Sequence, residues 1–191
     1  MQHPFERFTA RPFRSAYLFF LAATLVLGGV LGSIGQTFSA KRDPGGVSYD
    51  VVAFELAHTP QRAALILSTW GEDGIAAAKK NTRLDYLFLL SYSNLIALGV
   101  VALYSNRSSG AWVLLGRCLA WGQWMAALLD ALENTALLRV LDGHAVSPWP
   151  ELAFYCASVK FALVLAALFY LLAALPLAFR AHGAADRGLR V

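Results

Sequence analysis

The chain has 191 residues, of which 58% are hydrophobic and only 15% are charged. A soluble domain of this length carries more charge, so the composition excludes an ordinary soluble enzyme and indicates a membrane protein. The formal net charge is +4, and arginines are dense near both ends of the chain. Anionic lipid headgroups suffice to explain them, so we expect the lipid bilayer, and no nucleic acid, as their partner.

Four apolar segments predict four transmembrane helices, since about 20 helical residues cross a hydrocarbon core of about 30 Å. The sequence therefore predicts an all-α membrane protein, a four-transmembrane-helix bundle with a short helical extracytoplasmic cap. The predicted organisation is a cytoplasmic tail over residues 1–14, TM1 over 15–36, an extracytoplasmic helical loop over 37–83, TM2 over 84–104, TM3 with an outer extension over 111–141, TM4 over 150–179 and a second cytoplasmic tail over 180–191.

The first span is expected to be a retained anchor, because its apolar core is longer than the about 7–15 residues of a signal peptide. It ends in the sequence LGGVLGSIG, whose small residues recur every four positions. Such a face lets another helix approach closely. We expect it to pack inside the bundle, with a homodimer or a membrane-protein partner as the alternative; the face consists of Gly28, Gly29, Gly32 and Ser33.

Short tails rich in arginine belong on the cytoplasmic side by the positive-inside rule. We therefore expect a multi-pass protein of the inner (plasma) membrane with both termini in the cytoplasm. The loop after span one then faces outward. Within it, Thr59 followed by Pro60 predicts a helix start, and Gly71 predicts the end of that helix.

Charged residues at the membrane are energetically unfavourable, so each one requires an explanation. Counted along the spans at about 1.5 Å per residue, Asp85, Asp130 and Lys160 fall at one level, the outer rim. Helical spacing places further polar residues on the same inward faces. The ligand-binding candidates are Asp85, Tyr92, Asp130, Glu133, Asn134 and Lys160, with Gln123 as a secondary candidate on the face of Asp130.

Each of these charges also has a structural explanation. Asp85 completes a variant of the capping box with Thr82, and Lys160 can extend to lipid headgroups or pair with a carboxylate. The sequence leaves open whether the layer is a site for a ligand or chemistry, or a structural ion-pair network.

Two residues of the outer loop, Glu55 and His58, are further secondary candidates. Folded over Asp130 and Glu133, they would form an oxygen-rich divalent metal site with one imidazole. The plainer expectation is that both are solvated surface residues, so we predict no metal.

The sequence also lacks the residues that several cofactors and reactions need. No histidine lies inside a predicted span, which excludes bis-histidine haem on this topology, and we predict no cofactor. The motifs CxxC, GxxxxGK[ST], HExxH and GxSxG are missing from the sequence. Cys118 and Cys156 are expected at opposite faces of the membrane, and therefore free.

The segments LDYLFLLSYS (84–93) and LLDALENTALL (128–138) resemble a group of uncharacterised bacterial four-helix membrane proteins. The resemblance covers most of residues 49–165. It implies an aspartate-aromatic start to span two, a DxxEN run late in span three and a lysine early in span four. No activity is assigned to that group, so the resemblance bears on architecture and on the location of a site.

Three functions are consistent with this sequence. The first is a binding or accessory protein, such as a subunit of a larger complex, whose charged layer is mainly structural. The second is a small transporter or a bundle that binds an ion, a proton or an amphiphile. The third is a membrane-embedded enzyme acting on a lipid-like substrate through Asp85, Asp130, Glu133 and Lys160, with a carboxyl as general acid or base and the lysine holding an anionic group. Whether the chain is an enzyme stays open.

Overall fold

The computed structural model describes residues 2–8, 10–105 and 110–188, with side chains described as far as residue 173. This part of the chain is all-helical and contains no strand. A short 3-10 helix at Pro4–Arg7 precedes five α-helices, which are α1 (Ala10–Ser39), α2 (Val51–Glu55), α3 (Pro60–Tyr104), α4 (Ala111–Leu141) and α5 (Trp149–Gly188).

Within the described residues, three helices are long and apolar enough to cross a membrane: Ala10–Ser39, Pro60–Tyr104 and the Trp149–Ala173 part of α5. The membrane class predicted from composition is therefore supported. The α4 helix, which contains the predicted TM3, is not among the three. Its polar side chains, including Arg117 and Gln123, lower its mean hydropathy.

The outer part of α3 begins and breaks where the sequence predicts. Thr59 is the N-cap residue, and its Oγ1 accepts a hydrogen bond from the Arg62 amide at 3.2 Å. Gly71 has φ 64° and ψ −176°, a left-handed backbone that glycine adopts without steric cost. Two helical segments therefore meet at Gly71, and the second continues without interruption into the predicted TM2.

An aromatic core holds the segment between α1 and α3 against the long helices. Trp70 is fully buried, with its ring centroid 4.6 Å from that of Phe38 and 5.0 Å from that of Phe54. Its Nε1 donates a hydrogen bond to the Tyr49 carbonyl at 2.9 Å. Large buried aromatics with a satisfied polar atom fix such a contact firmly. This core fixes α2, and therefore Glu55 at its end, over the ends of the long helices.

The N-terminal tail is docked onto the helices, where the sequence predicts only a polar tail over residues 1–14. His3 is fully buried, and its ring centroid lies 4.8 Å from that of Trp124. Glu6 accepts hydrogen bonds from Arg117 at 3.0 and 3.1 Å and from the Tyr104 hydroxyl at 2.9 Å. Burial alone would raise the pKa of Glu6, but these hydrogen bonds outweigh it and lower that pKa.

The long helices pack around α3, which contacts α1, α4 and α5, and α4 also packs along α5. The α5 helix does not end at residue 179 as predicted. It continues past Pro176 to Gly188, through a segment rich in alanine, the residue with the highest helix propensity. Both cysteines are free, with Cys118 exposed and Cys156 buried.

Candidate functional site

Lys160 of α5 is the centre of the charged layer. Its side chain is buried, and its Nζ donates a hydrogen bond to Asp130 Oδ1 at 3.0 Å. The same Nζ forms ion pairs with Glu133 Oε2 at 2.7 Å and with Glu55 Oε2 at 3.6 Å. Asp130 and Glu133 lie one turn apart on α4, whereas Glu55 ends α2. The Lys160 ammonium of α5 therefore connects α2, in the segment that covers the ends of the long helices, with α4.

Two polar residues of α3 join the same layer. Asp85 accepts a hydrogen bond from Asn134 Nδ2 at 2.8 Å, and the Tyr92 hydroxyl donates to Asp130 Oδ2 at 2.8 Å. Residues seven positions apart on a helix share a face, which is why Asp85 and Tyr92 both point toward α4. All six candidates named from the sequence therefore lie together: Asp85, Tyr92, Asp130, Glu133, Asn134 and Lys160.

Carboxyl groups outnumber their partners in this layer. Glu133 is fully buried, and neither its Oε1 nor the Oε2 of Glu55 has a hydrogen-bond partner among the described residues. Burial raises the pKa of Glu55 to about 7, and the carboxylates of Asp130 and Asp85 add to this rise while Lys160 opposes it. The layer is therefore short of positive charge and of hydrogen-bond donors.

His58 is exposed and does not join the layer, whereas Glu55 is largely buried beside Lys160, so the expectation that both are solvated surface residues holds for His58 alone. The backbone turns at His58, where φ is 61°, and the exposed ring lies 4.4 Å from that of Phe154. The described residues contain no group of three or more histidine, cysteine, aspartate or glutamate side chains placed to hold a metal ion.

Gln123 lies in the interface between α4 and α5. It is fully buried, and its Nε2 donates a hydrogen bond to the Leu163 carbonyl at 3.2 Å. Seven residues of helix separate it from Asp130, a distance of about 10 Å along the axis. It therefore shares a helix face with Asp130, as predicted, but not a contact.

A cavity of about 610 Å³ opens beside the charged layer, a size typical of small-molecule sites. Its polar end is formed by the charged and amide groups of the layer, and its walls are apolar. The polar lining includes Glu55, Asp85, Asp130, Asn134 and Lys160, and the apolar lining includes Leu31, Phe88, Ile96, Phe161 and Val164.

The small-residue face of α1 borders this cavity. Gly28 and Gly32 both line it, and a methyl group built on Gly32 would have no atom within 4 Å. Gly29 also has open space around it, and both Gly29 and Ser33 are exposed. Gly32 therefore leaves room between α1 and α3, whereas a Cβ at Gly28 would lie 3.4 Å from the Phe88 ring. A role of this face in a homodimer stays a prediction.

The apolar walls are the part of the site that the sequence reasoning missed. Phe88, Tyr92 and Ile96 recur every four residues along α3, so they form one stripe facing the cavity. Asn81 donates a hydrogen bond to the Leu31 carbonyl at 2.8 Å, which joins α3 to α1 at the cavity edge. The stripe in α3 was a usable signal, but it does not reveal whether the facing space is filled.

Comparisons with protein-family models, with curated proteins and with solved structures find no match for this chain. The resemblance to four-helix bacterial membrane proteins therefore stays a prediction. Functional conclusions depend on the geometry of the cavity and of the charged layer.

Proposed function

We propose that this chain is an inner-membrane protein of four spanning helices that binds an amphiphile in the cavity beside the charged layer. The observation that carries the proposal is the cavity itself, which joins a charged end to apolar walls. An amphiphile has the same two-part chemistry, because its head is polar and its chain is not. The accessory-subunit and enzyme alternatives stay predictions.

The contacts along α4 support it as a spanning helix in addition to the three that are long and apolar enough. Near its start, Arg117 pairs with Glu6 beside Tyr104, the last residue of α3. Near its other end, Asp130 pairs with Lys160, early in α5. The 13 residues from Arg117 to Asp130 correspond to about 20 Å of helix. These contacts put the start of α4 level with the end of α3 and put Asp130 level with Lys160 of α5, which supports a crossing by α4.

Burial explains how α4 can cross a bilayer despite its polar residues. Gln123, Asp130, Glu133 and Asn134 are all buried between α3 and α5, away from the lipid. Polar groups inside a membrane are tolerated where they face the bundle interior and have partners. With the cap on the outer side, the arginine-rich tails lie in the cytoplasm, as the positive-inside rule favours.

Hydrocarbon fits the walls of the cavity better than water does. Leu31, Phe88, Ile96 and Val164 present apolar side chains, and Gly32 of α1 supplies width. An amphiphile that enters from a bilayer or a micelle is already out of water, so its chain gains van der Waals contacts with these walls and not the free energy of leaving water. The polar end then determines which head is accepted.

A pair of glycine substitutions on α1 tests the proposal. Gly32→Leu inserts a side chain into the cavity, whereas Gly29→Leu adds the same side chain at an exposed site with equal space around it. Each purified protein is equilibrated in a neutral detergent with a mixture of single-chain amphiphiles whose heads are anionic, neutral or cationic, and bound amphiphiles are counted by native mass spectrometry. We expect a 1:1 adduct on the wild type and on Gly29→Leu, reduced at least about tenfold on Gly32→Leu. Equal adducts on all three proteins, or none on the wild type, would overturn the proposal.

A further inference from the structure

The charges around the polar end of the cavity do not balance. In the described part of the layer, three carboxyl groups, from Glu55, Asp130 and Glu133, pair with the single ammonium of Lys160, and a fourth, from Asp85, pairs only with the Asn134 amide. Buried carboxylates are unfavourable unless they are paired or protonated. The layer therefore holds more carboxyl groups than cations, and either a proton or a further cation would balance it.

The ammonium of Lys160 is not free to receive an anionic head. Asp130 accepts a hydrogen bond from it at 3.0 Å, Glu133 lies at 2.7 Å, and Glu55 lies at 3.6 Å, within ion-pair distance but beyond that of a hydrogen bond. An incoming phosphate or carboxylate would lie beside these three carboxyl groups. Repulsion between like charges is strong where water is scarce, so an anionic head is disfavoured.

Unused acceptors remain next to the cavity. Glu55 and Asp85 both line it, and among the described residues the Glu55 carboxyl group has only the Lys160 ammonium at 3.6 Å and the neighbouring Glu133 carboxyl group as partners. The fully buried Glu133 side chain points into the layer, where its Oε1 lacks a hydrogen-bond donor from the described part of the chain. These atoms accept hydrogen bonds and cannot donate them while ionised, so a ligand that satisfies them must supply donors.

Aromatic rings flank the same end of the cavity. Phe88 and Tyr92 line it with their ring centroids 5.4 Å apart, while the ring of Phe161, which also lines it, already lies under the Lys160 ammonium at 4.7 Å. The faces of aromatic rings attract an ammonium group by about 0.5–2 kcal/mol each. Carboxylates and aromatic faces together are the usual environment of a bound organic cation.

We propose that the amphiphile held in this cavity has a cationic amine head without a phosphate, and that Asp85 and Glu55 bind its ammonium group. The inference rests on the proposed amphiphile-binding function and specifies the head group of the amphiphile. The hydrocarbon chain lies along the stripe formed by Phe88 and Ile96, past the glycines of α1. A bare metal ion would leave these apolar walls unused.

The test compares heads on one chain length. Wild-type protein in dodecyl maltoside at pH 7 is titrated, in competition, with dodecylamine, dodecanol, dodecanoic acid and lauroyl lysophosphatidylethanolamine, and adducts are counted by native mass spectrometry. We expect dodecylamine to bind at least about tenfold more tightly than the other three. The lysophospholipid carries an amine beside a phosphate, so equal binding by it would overturn the exclusion of phosphate.

Other outcomes separate this inference from the function on which it rests. If dodecanol or dodecanoic acid binds as well as dodecylamine, the cationic head is wrong while the amphiphile site stands. If the wild type binds none of the four and retains no lipid, both proposals fail.

Substitution of Asp85 supplies an independent measurement. Asp85→Asn keeps the size of the side chain and should reduce the affinity for dodecylamine at least about fivefold, with dodecanol unaffected. Asp85→Glu restores the charge and should recover part of the loss, whereas Gly29→Leu should bind like the wild type. Undiminished binding of dodecylamine by a folded Asp85→Asn protein would contradict the role assigned to this carboxylate.

Discussion

Replacing Lys160 with methionine removes the ammonium from the charged layer and keeps a side chain of similar length. Asp130, Glu133 and Glu55 then lose the cation that lies within 3.6 Å of each of them. Removing one partner of a buried ion pair costs about 3–5 kcal/mol, because the remaining charge is left uncompensated. A chain of this size loses about 2–4 °C of melting temperature per kcal/mol, so we expect a fall of about 6–20 °C.

The assay is thermal unfolding in dodecyl maltoside, followed by tryptophan fluorescence at pH 8 and at pH 5. The fall should be larger at pH 8. At pH 5 Glu55, whose pKa burial raises to about 7, is already protonated and needs the ammonium less. Lys160→Arg keeps the positive charge and is the matched control, which should melt within a few degrees of the wild type. An unchanged melting temperature for Lys160→Met at pH 8, or an equal fall at both pH values, would refute this reasoning.

Two further substitutions test the cap and the helix packing. The pKa of Glu55 is higher in the folded protein than its ordinary value of 4.5, so the folded state binds the extra proton and loses stability as pH rises from about 4.5 to 7, by at most about 1.4 kcal/mol per pH unit. Glu55→Gln should flatten that slope in denaturation measured across this range, and an unaltered slope would assign it to other groups. Gly116→Ala would place a methyl group 2.6 Å from the Tyr104 ring and should cost about 1–3 kcal/mol of unfolding free energy, whereas Gly29→Ala, with open space around it, should cost nothing. Equal stability of these two alanine variants would contradict the close packing at Gly116.

The convergence of the charges could be predicted because helix geometry is uniform. A rise of about 1.5 Å per residue fixes how far Asp85, Asp130 and Lys160 lie along their helices. The period of 3.6 residues fixes which side chains share a face, as Asp130 and Asn134 do. Neither rule needs tertiary information, so the location of the layer follows from the sequence and the direction of each helix.

The contacts made by loops and tails do not follow from such rules. Glu6 and Arg117 are 111 residues apart, and no periodicity in the first eight residues indicates that they dock. Glu55 joins the layer without His58 for a different reason: α2 ends at Glu55 and the backbone turns at His58, so helical spacing no longer relates the two residues. The glycines of α1 are compatible either with close packing of another helix against α1 or with a cavity beside it, and only the tertiary structure distinguishes the two.

The imbalance of charge is what separates a binding site from a structural network in this layer. Replacing a buried ion pair with uncharged residues is often neutral or stabilising, so such pairs are weak evidence for stability. A layer with four carboxyl groups and one ammonium is still weaker evidence for a stabilising role, since some of the carboxyl groups stay unbalanced until a proton or a cation binds. Asp85→Asn should therefore leave the protein at least as stable as the wild type, because it removes a buried carboxylate that has no cation beside it among the described residues. The same substitution should weaken the binding of an amine, which needs that carboxylate. If the layer is purely structural, the opposite result is expected: Asp85→Asn is less stable than the wild type, and its binding of amines is unchanged.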